Sequence, residues 1–400
     1  MRLLVLAPFR PQPQHDHAGA TALGHLVRAL SRYVEIDVLA FQHSDDRPPL
    51  REIDVYTTPR LRSREQPLGT RLRSRAQLAL GRVATGLPIA ALKLRSTALR
   101  RQLRQLCVAR RPNAVLIESG LMTPYLAELH GIPSLLTWNE IPSPEVGHQG
   151  PHSPDPTWVR LARRSSGATL CEARHKSIAA WLRSTAGSHM VGRTVTVRPW
   201  PIPVPATPAV PSAAGPVALV YADLVEPALA TVPALATAML ERIRAEVPDA
   251  ELWLAATRPA AIPRPAHAPG LRVFGDGEDL AALASEARLL LALAPNTGPP
   301  VHLMEAMAHG IPVIGTDAAL RGVDATPPAV ELEDDPAALA RACIHLLTNR
   351  ADASRRGTAA REFVERVHAD AIVVPRLLDR IRSLDMTGTS PRPNQAEQQR

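Results

Sequence analysis

Aromatic residues make up only 3% of the 400 residues, so the cores of this chain must be built from Leu, Val, Ile and Ala rather than from large rings. Cysteine is just as scarce. Cys107, Cys171 and Cys343 stand far apart, with no CxxC pair and no partner at metal-ligand spacing. That pattern excludes a disulfide framework and a cysteine-rich zinc site, and fits a reduced, cytoplasmic protein. Long apolar runs are missing too. None approaches the ~20 residues of a membrane span, and LLVLAP (3–8) is too short for a signal-peptide core. Acids are nearly absent from residues 60–111, where Glu65 alone faces Arg62, Arg64, Arg71, Arg73, Arg75, Arg82, Lys93, Arg95, Arg100, Arg101, Arg104 and Arg110. Two readings fit this basic region: peripheral contact with an anionic surface such as the inner face of a membrane, or a solvated helix face. Nucleic acid is set aside, because no aromatics are interleaved and no reading motif occurs.

What is present is a rhythm of short apolar runs and amphipathic segments, in a chain long enough for two domains. LLVLAP is followed by a helix with Leu23, Leu26, Val27 and Leu30 on one face, then by VEIDVLAF (34–41) and IDVYT (53–57). The basic region predicts two helices, with Leu72, Ala76, Leu80 and Val83 on one apolar face and Leu92, Leu99, Leu103 and Leu106 on the other. AVLIE (114–118), PSLLT (133–137) and ATLC (168–171) complete the first half. Seven prolines between 199 and 216 can neither donate to a ladder nor continue a helix, and so predict a stiff linker. The rhythm restarts with VALVYA (217–222), ELWLAA (251–256), LRVFG (271–275), RLLLALA (288–294) and IPVIGT (311–316). A helical tail runs from 336 to about 384. The expectation is an α/β protein of two Rossmann-like domains, 1–198 and 217–385, joined by linker 199–216, with a disordered tail at 386–400.

The segment APNTGPPVHLMEAMAHGIPVIGTD (294–317) carries the chemistry. A strand ends near Ala294, Pro299 or Pro300 suits a first helical turn, and Gly310 suits the C-terminal cap. A helix N-terminus at the C-terminal edge of a parallel sheet favours a diphosphate. His302 and Glu305, three apart, share one face. The carboxylate can accept both hydroxyls of a ribose and the imidazole can meet a phosphate. The same spacing is equally met by a carboxylate that pairs locally beside an ordinary surface histidine.

HLMEAMAHGIPVIGTDAALRGV resembles the nucleotide-site segment of the family-4-type (group 1) glycosyltransferases, where an acid precedes Ala-Met-Ala-x-Gly-x-Pro-Val. VPDAELWLAA, LRVFGDGEDLAALASEARLLLALAP and DDPAALARACIHLLTN resemble the rest of that family's second domain, and residues 3–41 its first. The resemblance implies the GT-B arrangement, two Rossmann-like domains facing each other across a cleft. It also implies a nucleotide-sugar donor held by the second domain, an unidentified acceptor held by the first, and no cofactor. Glu305 would contact the ribose, and Thr297 and Gly298 would cradle sugar and phosphates. The loop at 16–20, with Gly19, would approach the reaction centre. Asp16, His17 and Glu140 are the candidate catalytic residues, with His15 and Asn139 beside them. No DxD motif is present, which implies metal-independent transfer. The sequence departs from the family pattern at Thr297, where a second acid is usual, and at His302, where Lys or Arg is common. These departures support an alternative: a non-catalytic accessory or binding protein on the same fold. A sugar-nucleotide epimerase is a third reading.

Overall fold

The computed structural model describes residues 1–12, 18–42, 53–59, 68–139, 155–186, 195–208, 216–222, 228–256, 269–274, 280–293 and 300–387. They divide into two compact units: Met1–Arg10 with Leu30–Arg198 and Val374–Arg400, and Pro11–Ala29 with Pro199–Val373.

In the first unit, β1 (Arg2–Ala7), β2 (Glu35–Gln42), β3 (Asp54–Pro59), β4 (Ala114–Glu118), β5 (Ser134–Trp138), β6 (Leu170–Ala173) and β7 (Thr196–Val197) form one sheet. Their order is β3-β2-β1-β4-β5-β6-β7, and every pairing is parallel. Parallel strands are covered on both faces and therefore read as unbroken apolar runs. Leu3 to Ala7 are all buried accordingly. Leu4, Leu6, Leu39, Ile117 and Leu136 pack with Leu99 and Leu103 of the helix Thr97–Arg110 in an aliphatic core. The few aromatics are concentrated here as well. Trp138 ends β5 fully buried, its ring 5.4 Å from Trp181 and 6.5 Å from Trp158, and its indole N–H donates to Ser165 at 2.9 Å. Gly120 leaves room for it, because a Cβ there would fall 2.2 Å from that ring.

One helix presents the opposite face from the one its pattern predicts. The helix Leu68–Thr85 packs through Leu78, with Gly81 lying over Leu92, while Leu80 and Val83 are 69% and 85% exposed. The second predicted face holds: Leu99, Leu103 and Leu106 are buried on the helix Thr97–Arg110, and Leu92 is buried on a separate short helix, Ile89–Lys93.

The second unit repeats the pattern with β8 (Val217–Ala222), β9 (Glu251–Ala256), β10 (Leu271–Phe274), β11 (Leu289–Ala292), β12 (Val313–Gly315) and β13 (Val330–Leu332). The order is β10-β9-β8-β11-β12-β13, again with parallel pairings. In both sheets the order reverses beside the first strand, which places a topological switch point at β1/β4 and another at β8/β11. The architecture is a two-domain Rossmann-like α/β fold.

The proline-rich segment is ordered where it is described. Trp200 and Ile202 are buried, and Ile202 bridges to Ala369. Arg361, on the helix Arg350–Val367, donates to the Pro205 carbonyl at 2.6 Å and the Ala308 carbonyl at 2.9 Å. The helical tail forms as expected, ending in the helix Asp370–Thr387. Among the described residues no helix is long and apolar enough to cross a membrane.

Candidate functional site

The helix Val301–Ala308 follows β11, beside the switch point of the second sheet. Pro300 precedes it and gives no side-chain cap, so the positive end of the helix dipole and its first N–H groups receive nothing from that side chain. Its other end closes as the sequence predicts. Gly310 takes φ +81°, its N–H bonds to the Met307 carbonyl at 2.9 Å, and the Ile311 N–H bonds to the Ala306 carbonyl at 3.1 Å, the paired closure of a Schellman motif. A second glycine fixes the packing: a Cβ on Gly357 would fall 1.9 Å from the Gly310 carbonyl oxygen.

Every residue of this helix except Glu305 is buried. Glu305, with a side chain 24% exposed, is therefore the one group the helix offers to its surroundings. Its Oε1 lies 2.7 Å from His25 Nε2 and its Oε2 lies 3.0 Å from His302 Nδ1. His25 belongs to the helix Ala18–Ser31, in a stretch that groups with the second unit. Burial would raise the carboxyl pKa, but hydrogen bonds from His25 and His302 outweigh it and hold Glu305 near 2. The group is a carboxylate throughout the physiological range. A carboxylate has about four lone-pair sites, and the two imidazoles use one on each oxygen.

The structure thus brings His302 and Glu305 together. His302 turns Nδ1 to the carboxylate, and its Nε2 is buried. Gly19 lies buried in the first turn of the helix Ala18–Ser31. Asp16, His17, Glu140, Thr297 and Gly298 lie outside the described residues. Asn139 accepts from Arg174 Nε at 3.2 Å. Among the described residues no group of three or more His, Cys, Asp or Glu could hold a metal ion.

Two arrangements escaped the sequence reading. His25 is one. The signal was available in a stripe of polar residues, Thr21, His25 and Arg28, at helical spacing on an otherwise apolar segment. The other is a buried ion network at the C-terminal ends of β4 to β7. Glu118 pairs with Arg174 and with Arg198, the latter at 2.8 Å, while Glu172 pairs with Arg198 and Arg380. Arg198 also donates to Thr137 at 2.6 Å. Burial would raise Glu118, yet the two guanidinium groups bring it below its ordinary value. Burial, with the like charge of Arg198, lowers Arg174 to about 9.

The fold defines a class, the two-domain Rossmann-like α/β proteins. Sucrose-phosphate synthase from Thermosynechococcus elongatus superposes with a TM-score of 0.67 at 15% identity, covering 97% of this chain and 100% of that one. An α,α-trehalose-phosphate synthase (UDP-forming) from Burkholderia vietnamiensis gives 0.64 at 12% identity, covering 96% and 100%. Anabaena HepE in complex with UDP gives 0.64 at 13% identity, also covering 96% and 100%. Residues 215–349 match the model described as "Glycosyl transferases group 1", a stretch that contains the 294–317 segment. No curated protein matches the chain.

Proposed function

We propose that this chain transfers a sugar from a nucleoside diphosphate to an acceptor, holding the donor at the helix Val301–Ala308. The observation that carries this reading is Glu305, a carboxylate held near pKa 2 on a buried helix that starts beside a switch point. Ribose hydroxyls donate to the carboxylate, and the diphosphate meets the helix N-terminus. UDP, present in the HepE structure and in that of the pneumococcal O-GlcNAc transferase GtfA, is the favoured nucleotide. In the reaction the bond from the anomeric carbon to the diphosphate oxygen breaks, and an acceptor oxygen bonds to that carbon. The acceptor proton passes to a base, for which Asp16, His17 and Glu140 remain the candidates. The absence of a DxD motif favours transfer without a metal, with the helix dipole in its place. The test is release of UDP from UDP-sugars across an acceptor panel, with and without chelator. Acceptor-dependent release unaffected by chelator supports the proposal.

The second reading, a binding protein without turnover, is favoured by His302. Where the family commonly has Lys or Arg, this side chain is spent on Glu305. Saturable nucleotide binding with no UDP release from any acceptor mixture would select it.

We also propose that the basic region meets an anionic membrane surface. Several of its cations are neutralised by distant acids: Arg82 by Asp155, Arg100 and Arg104 by Glu128, and Arg110 by Asp37 and Asp54. Arg75, Lys93, Arg95, Arg101 and Arg111 are exposed, and so are Leu80, Val83 and Val108 of the same stretch of chain. Exposed apolar and basic residues together suit a lipid interface. Co-sedimentation with vesicles should rise with acidic lipid, fall with salt, and weaken in a Leu80→Ser/Val83→Ser variant. Binding indifferent to all three would contradict it.

A further inference from the structure

The Glu305 carboxylate is gripped from two elements. His302, on its own helix, reaches Oε2, and His25, on a helix 280 residues away in sequence, reaches Oε1. One hydrogen bond leaves a carboxylate free to turn about its last torsion, whereas two bonds from separate elements fix its plane. Both oxygens keep a lone pair, which is what a cis-diol with two O–H donors requires. His25 is not needed to seat its helix, because Leu23, Leu26, Val27 and Leu30 already bury that face. Its side chain is only 10% exposed, and its Nε2 is committed to the carboxylate.

Building on the donor-site reading above, we propose that His25 is a positioning residue of the nucleotide site, holding Glu305 in the orientation that accepts the ribose 2′- and 3′-hydroxyls. It touches neither sugar nor phosphate. Its contribution is preorganisation: a glutamate frozen before binding loses no rotamer freedom when the nucleotide arrives. A carboxylate oxygen can only accept, so Nε2 of His25 donates to it; glutamine, whose side-chain N–H occupies nearly the same place, can substitute, and alanine cannot.

The experiment is calorimetric titration of the full chain with UDP, ADP and GDP, each beside its 2′,3′-dideoxy counterpart. Wild type, His25→Ala, His25→Gln and Glu305→Ala are compared, with melting curves to confirm folding. Wild type is expected to prefer one ribonucleotide over its dideoxy form. His25→Ala should lose roughly tenfold in affinity for the ribonucleotide and nothing for the dideoxy form, and His25→Gln should restore the preference. His25→Ala weakening both forms equally, or keeping the preference while Glu305→Ala abolishes it, would overturn the role of His25 and leave the donor-site reading standing. A wild type with no ribose preference, or one that Glu305→Ala leaves intact, would remove the donor-site reading and this inference with it.

Discussion

Glu305 shows how a residue can be readable by type and hidden by circumstance. Its place before Ala-Met-Ala-x-Gly-x-Pro-Val singles it out and its spacing puts His302 on the same face, but nothing local announces that His25 would hold it as well. The pH consequence follows from its pKa of about 2 against an ordinary 4.5. A depressed folded pKa contributes stability that is present above the unfolded value and lost as pH falls through the folded one. Unfolding free energy should therefore drop as pH falls from about 5 towards 2, and Glu305→Gln should shallow that slope; identical slopes would mean the two imidazoles do not stabilise the charge. Glu118 makes the opposite case. Its partners Arg174 and Arg198 stand 56 and 80 residues away and meet it only because consecutive parallel strands end on the same edge, so no spacing rule could have found them. Removing one member of a buried ion network strands the others, at a cost of about 3–5 kcal/mol. Glu118→Ala should lose stability on that scale in urea titrations, whereas an exposed Glu35→Ala control should change little.

At the scale of elements, the sequence was most legible where backbone chemistry is local. Pro300 and Gly310 bracket the helix Val301–Ala308 because proline tolerates a first turn and glycine a left-handed cap, whatever the rest of the chain does. Facing was less legible. The apolar stripe at Ala76, Leu80 and Val83 has helical period, but periodicity cannot say whether a stripe meets core or solvent, and the helix sits on Leu78 and Gly81 instead. Composition predicts a linker in the proline-rich segment, and its described part is tied down by contacts that composition cannot reveal. His368 is one of these ties, its Nδ1 lying 3.2 Å from the Trp200 carbonyl. Burial depresses its pKa to about 4 from an ordinary 6.5. As pH falls below about 6.5 the unfolded chain takes up a proton that the folded chain refuses, so stability declines down to about pH 4 and then levels. His368→Asn keeps a donor near Nδ1 and cannot titrate, so its stability should be flatter between pH 6.5 and 4. A slope equal to wild type would show that His368 does not set it.

For the whole molecule, the doubly wound sheets were legible because parallel strands, buried on both faces, leave unbroken apolar runs in the sequence. The grouping of residues 18–29 with the second unit and of 374–387 with the first was not, because it depends on tertiary contacts rather than chain order. His25 and Glu305 both fall within the second unit, 2.7 Å apart. The central claim is that the second unit holds a nucleoside diphosphate through the carboxylate on the helix Val301–Ala308, and calorimetric titration of wild type and Glu305→Ala with UDP and UDP-sugars tests it most directly. Wild type should bind saturably, and the folded variant should bind about 1.5–3 kcal/mol more weakly, the worth of a hydrogen bond to a charged group. No binding by wild type, or equal binding by the two proteins, would contradict the account.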